Sequence, residues 1–182
     1  MKPPKAGKTS TGRGKRPKPP AARPVTGEAF HVPGARIYAG ELGPGIAKRA
    51  ALMARVVYDA VHENRAHPPG DARRGHGRER ATWVFSEEPG LAEGLFRTGL
   101  ELVIDARLDP GAAIGLHTQG ETEEAYSLLE GELRMTTVLR DGLEVTHTLR
   151  AGDAHAVRTG EAHFGRAGKR GCRFIAIATR RR

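Results

Sequence analysis

His117, Gln119 and Glu124 lie within eight residues of one another, in the segment GAAIGLHTQGETEEAYSLLEG that runs from Gly111 to Gly131. A neutral imidazole, an amide oxygen and a carboxylate brought to one point form a donor set for a first-row divalent cation. Residues two apart on a strand share a face, so His117 and Gln119 can point together into the lumen of a barrel. Gly120 to Thr122 supplies a turn, and Glu124 then enters the next strand with Tyr126 and Leu128 on its own face. Three donors arrive from two hairpin-linked strands, and His163 is the candidate for the fourth. Taken alone, a histidine is more often satisfied in place and a glutamate in a Glu-Glu pair is usually solvated, but three donors at these offsets are harder to dismiss. Tyr126 and Glu124 are the candidate catalytic residues, although packing alone would also account for the tyrosine.

Short strands must position these side chains. From Trp83 onward, apolar runs of five to nine residues alternate with turn-forming stretches, an all-β rhythm. Leu100, Leu102, Ile104 and Ala106 alternate on one face before the turn Asp109-Pro110-Gly111. Leu133 to Leu139 and Leu143 to Leu149 flank Arg140-Asp141-Gly142, a hairpin link with glycine where a positive φ is expected. Ala151-Gly152-Asp153 turns the chain before Ala154 to Val157, and Phe174 to Thr179 reads as a last strand. A sandwich or closed barrel follows, and closure removes the exposed edges that invite association. His147 and His155 read as solvated or structural, Arg134 as a surface arginine or an anion contact. His62 and His76 lie in a segment that could fold over the barrel mouth, without direct ligation.

The chain before the barrel is less regular. Residues 1–24 carry eight Lys or Arg, no acid and six of the twelve prolines, so they have too little apolar surface to offset the entropy of ordering. This is a disordered basic tail, expected at most to touch nucleic acid weakly and without base reading. The net charge of +9 comes from this tail, since the rest of the chain is nearly neutral. Residues 25–82 form a flanking segment. Ile46, Ala50, Met53, Val57 and Ala60 recur at helical spacing after Gly43-Pro44-Gly45 and predict a helix over 46–63. Its second half, Arg55 to His62, also alternates well enough for a strand. Arg65 to Arg80 reads as a long loop. At 182 residues the chain accommodates one domain with appendages, here the barrel at 83–182. The single cysteine, Cys172, lies in an apolar run and reads as a buried, inert thiol that permits a reducing compartment. Neither a run of about 20 apolar residues nor a secretory signal is present, so a cytoplasmic protein with no membrane partner is expected.

Here the sequence resembles the cupin superfamily. The first cupin motif runs Gly, five residues, His-x-His, three or four residues, Glu, six residues, Gly. This chain has Gly111, five residues, His117-Thr118-Gln119, four residues, Glu124, six residues, Gly131. The second motif, Gly, five residues, Pro-x-Gly, two residues, His, three residues, Asn, is matched in spacing by Gly152, Arg158-Thr159-Gly160, His163 and Ala167. The resemblance spans about Leu100 to Thr179. It implies a single double-stranded β-helix, the jelly-roll barrel, with a metal held at one end by His117, Gln119, Glu124 and His163. Gln119 stands where the family has a histidine, and Arg158 and Ala167 replace the motif's Pro and Asn.

With Gln119 as ligand, the donor set keeps one negative charge, from Glu124, and exchanges an imidazole for a harder oxygen. That favours manganese or iron(II), with zinc or nickel as further candidates. The resemblance implies a metal-dependent enzyme acting on a small oxygen-containing substrate, of dioxygenase, isomerase or decarboxylase type. The alternative is a noncatalytic small-molecule binding or sensor module. A homodimer through the segments flanking the barrel is compatible with either.

Overall fold

The computed structural model describes residues 23–25, 53–86 and 98–180. Among the described residues nine strands account for nearly all the regular structure: β1 (Arg23–Val25), β2 (Ala54–Tyr58), β3 (Glu79–Ser86), β4 (Leu100–Leu108), β5 (Ala113–Thr118), β6 (Thr122–Val138), β7 (Glu144–Arg150), β8 (Ala154–Val157) and β9 (Ala162–Arg180). They join in the order β1-β2-β3-β4-β9-β6-β7, with β5 added to β9 and β8 added to β6. All pairings are antiparallel except that of β1 with β2.

The long strands β6 and β9 close the barrel. The second half of β9 pairs with β4 and with the first half of β6, whereas its first half pairs with β5 and with the second half of β6. Register shifts between Leu128 and Glu130 and between Gly131 and Leu133 bend the pair at its middle, as bulges do. The expected strand Phe174 to Thr179 is therefore the end of a 19-residue strand. The turns at Gly111, Gly142 and Gly152 are where the sequence placed them, all with positive φ.

Alternation fills the interior. Leu102, Ile104, Ala106 and Leu108 of β4 are buried, as are Tyr126, Leu128, Leu133 and Met135 of β6 and Cys172, Phe174, Ala176 and Ala178 of β9. Trp83 and Tyr58 are fully enclosed, and the indole N–H donates to the tyrosine hydroxyl at 3.1 Å, which satisfies both polar tips. Burial pushes the Cys172 thiol pKa upward, in keeping with an inert cysteine.

Two expectations change upstream. Residues 46–52 of the predicted helix lie outside the described residues, and Ala54–Tyr58, inside it, is a strand paired with β3. The β-branched pair Val56-Val57 and Tyr58 suit a pleated surface, and Val56 and Tyr58 are buried two apart, so a ladder partner overrides the helical period. Residues 1–22 of the predicted tail lie outside the described residues, but Arg23 and Pro24 belong to β1, at the sheet edge where a proline is tolerated. The predicted long loop contains a 3-10 turn, Ala72–Arg74, and ends where β3 begins at Glu79. Among the described residues no helix is long and apolar enough to cross a membrane.

That loop is pinned to β5. Gly115 N–H donates to the Val61 carbonyl at 3.0 Å, and the Asn64 side-chain amide donates to the Leu116 carbonyl at 3.1 Å. The approach is close enough that a Cβ on Gly115 would stand 1.9 Å from the His62 carbonyl oxygen. Gly115→Ala is expected to destabilise the fold by about 1–3 kcal/mol or more, because backbone rather than a side-chain tip must give way. Chemical denaturation checks this, and a loss below about 0.5 kcal/mol, the range of neutral surface changes, would contradict the docking.

Candidate metal centre

β5, β6 and β9 bring the two motif segments together. His117 on β5 is the register partner of His163 on β9, and Glu124 enters from β6. One ligand atom from each of His117, Glu124 and His163 falls within a cluster no wider than 4.8 Å. The Nε2 atoms of the two histidines are 2.9 Å apart, and His163 Nε2 lies 3.2 Å from Glu124 Oε2. His163 is fully buried.

The surroundings of each residue fix its role. His117 Nδ1–H donates to the Gly115 carbonyl at 2.9 Å, which holds the neutral tautomer and leaves the Nε2 lone pair facing the cluster. Burial, reinforced by the neighbouring His163, lowers the His117 pKa to about 4, so the ring is neutral at pH 7. Burial alone would raise the Glu124 pKa. Hydrogen bonding and charge from His163, with help from His117 and the Tyr126 hydroxyl, outweigh it and hold the carboxyl well below its ordinary range. Tyr126 O–H donates to Glu124 Oε2 at 2.7 Å and thereby orients the carboxylate. At neutral pH the cluster holds a neutral His117 and an ionised Glu124 beside His163, and two imidazoles with one carboxylate are a set that first-row divalent cations accept with positions to spare.

Gln119 joins them from the side. It is buried, its amide nitrogen lies 3.4 Å from His117 Nε2 and 3.2 Å from His163 Nε2, and its Oε1 accepts a hydrogen bond from Thr122 at 2.6 Å. In this orientation the amide donates into the cluster and stands in for a cation. A half-turn of the amide would direct Oε1 inward and let Nε2 donate to the Thr122 hydroxyl, as ligation requires.

Among the other histidines, His155 bonds to Thr137 Oγ1 at 2.9 Å and His76 to the Gly111 carbonyl at 3.2 Å, both structural roles, while His147 is exposed. Arg134 is exposed on β6, between the buried Leu133 and Met135, and does not face the lumen. His62, by contrast, covers the site: its ring stacks on His117 with centroids 3.7 Å apart and planes 10° from parallel. Its backbone occupies the left-handed region at φ 52°, uncommon outside glycine, and the docked loop maintains it.

One functional candidate was missed. Glu79, at the start of β3, is 2% exposed and shares a small cavity with His62, Glu124 and Tyr126, walled by Ile104 and Phe174. Burial, with the Glu124 charge, raises its carboxyl pKa to about 8. The signal was available: Glu79, Ala81 and Trp83 alternate on one face, and the latter two are plainly core residues.

A β-barrel with the two spaced motif segments paired across it is the arrangement that the resemblance to the cupins implies. No family model and no curated protein matches the chain. Among solved structures it is similar to a predicted oxalate decarboxylase from Thermotoga maritima, at 24% identity and a TM-score of 0.47, covering 60% of this chain and 86% of that one. It is similar also to the cupin domain of Schizosaccharomyces pombe Cnp3, at 14% identity and a TM-score of 0.46, covering 57% of this chain and 65% of that one. A variant of oxalate decarboxylase from Bacillus subtilis shares 25% identity over 56% of this chain, with a TM-score of 0.47. This chain spans a quarter of that enzyme's length, 25%.

Proposed function

We propose that this barrel binds one divalent metal through His117, Glu124, His163 and, after rotation of its amide, Gln119, and acts on a small oxygen-containing substrate. The observation that supports this reading is the convergence of two imidazoles and one ionised carboxylate within 4.8 Å, with the His117 tautomer already set for ligation. The single negative charge and the amide oxygen favour manganese or iron(II) over zinc or nickel. Such an ion, when bound, supplies Lewis-acid polarisation of a substrate oxygen, suited to dioxygenase, isomerase or decarboxylase chemistry.

The chain's own residues do the rest. Tyr126 holds Glu124 in one orientation, Gly115 holds His117, and the apolar walls Ile104 and Phe174 limit water. His62 closes the approach above His117. The cavity beside the cluster leaves only about 10 Å³ for the centre of a water molecule, room for roughly one water. A second reading is a noncatalytic small-molecule binding or sensor module, in which His62 stacked on His117 closes the site.

Metal analysis and turnover separate the two. Protein purified without a histidine tag and loaded with Mn(II) or Fe(II) is expected to retain about one ion per chain and to turn over, or take up oxygen with, a small carboxylate or ketone, and Glu124→Ala to do neither. Ligand binding equally tight with the metal stripped would support the sensor, and no retained ion under any loading would overturn the metal reading. Gln119→His is expected to shift preference toward zinc and nickel, measured as competitive uptake. We also propose, from the sequence, weak salt-sensitive nucleic-acid contact through the basic residues 1–24, a homodimer and a cytoplasmic location.

A further inference from the structure

Glu79 is not one of the expected ligands, yet it faces the same space. Its side chain points inward with Ala81 and Trp83, all three being buried at alternate positions of β3. Its Oε1 has no hydrogen-bond partner among the described residues and is out of contact with solvent. No cation among the described residues is paired with it, although Arg78 and Arg80 are its chain neighbours; those two project outward to Asp59 and Asp109. A buried carboxyl with an unused oxygen is costly unless something in the cavity satisfies it. The groups around the cavity are Glu124, Tyr126 and His62, with apolar residues between them. Tyr126 has committed its hydroxyl hydrogen to Glu124 Oε2, so the tyrosine does not donate to Glu79.

We propose that Glu79 is a second acidic group of this site, a neutral carboxylic acid whose O–H donates to the oxygen atom that occupies the cavity. In the resting protein that atom belongs to a single trapped water, for which the cavity has room. When substrate is present it is an oxygen of a small carboxylate or carbonyl compound, which displaces the water. The burial of Glu79, with one oxygen unpartnered among the described residues, is the geometric reason for the protonated form. Glu79 thus binds and orients the ligand oxygen, and selects for acceptors over groups that bear only hydrogen there.

This inference rests on the proposed metal reading, and its test keeps the two apart. Formate, the smallest carboxylate, is titrated calorimetrically into Mn(II)-loaded wild type, Glu79→Gln and Glu79→Leu, with metal content measured on the same samples. Glu79→Leu is expected to retain the ion and to bind formate roughly tenfold to a hundredfold more weakly, the loss of a hydrogen bond to a charged acceptor. Glu79→Gln, whose amide can donate from nearly the same place, is expected to remain within about threefold of wild type. Both substitutions remove a buried ionisable group and keep the volume, so folding is preserved. Formate affinity unchanged in Glu79→Leu, or equally weakened in Glu79→Gln, overturns the role of Glu79 and leaves the metal reading standing. Wild type that takes up no ion overturns both.

Discussion

Glu124→Gln is expected to lower divalent-ion affinity at least about a hundredfold while leaving the barrel folded. Histidine ligates as a neutral imidazole and Gln119 as a neutral amide, so Glu124 supplies all of the negative charge among the proposed ligands. Partners that merely orient ligands are worth about ten- to a hundredfold in affinity, and a charged ligand contributes more than its supports. Glutamine preserves shape and can still accept the Tyr126 hydrogen bond, so the loss reports charge rather than collapse. Even the metal-free site is built around that charge, because His163 and Tyr126 both direct polar atoms at Glu124 Oε2. Calorimetric titration with Mn(II), paired with a denaturation curve to verify folding, measures the effect. An affinity within threefold of wild type would remove Glu124 from the ligand set.

Three of these donors were legible in the sequence because strand periodicity and motif spacing act locally. His117 and Glu124 are separated by one turn, and their faces follow from alternation alone. His163 required the second motif, whose spacing stands in for a contact between strands far apart in the chain. What alternation does not reveal is the side of Gln119 that faces the cluster, since the amide can present either atom and Thr122 satisfies whichever remains. His62 had no local signal. Its position depends on the loop's backbone meeting Gly115, a close approach that only the folded arrangement creates.

The upstream segment shows the opposite failure. The apolar period from Ile46 to Ala60 fits a helix, yet β3 offers Ala54–Tyr58 a full row of backbone partners, and the ladder wins. Glu79 was hidden for a related reason. Flanked by Arg78 and Arg80, it looks like a solvated charge, and only its place opposite the buried face of β4 reveals that it is enclosed.

The enclosure of Glu79 carries the second large effect. Glu79→Gln is expected to make the metal-free protein increasingly more stable than wild type as pH rises from about 4.5 to 8. The folded pKa of Glu79 lies near 8 and its unfolded value near 4.5, so in that window the folded state holds a proton that the unfolded state has released. Stability then falls with rising pH, by about 1.4 kcal/mol per unit at the steepest, and on the order of 4 kcal/mol is lost by pH 8. Below the unfolded value both states are protonated, and glutamine and glutamic acid should be nearly equivalent. Other groups act with the opposite sign, His117 in the lower part of this range and Glu124 below it. The lowered pKa of His117 makes stability rise between about 4 and 6.5, and that of Glu124 makes it fall as acid protonates the carboxylate. The wild-type curve is therefore a composite, and the difference between wild type and Glu79→Gln isolates the buried acid. Urea denaturation at half-unit intervals, with chelator present, measures that difference. Two parallel stability curves would mean that Glu79 is ionised and paired in the fold, and the neutral acid would be lost with them.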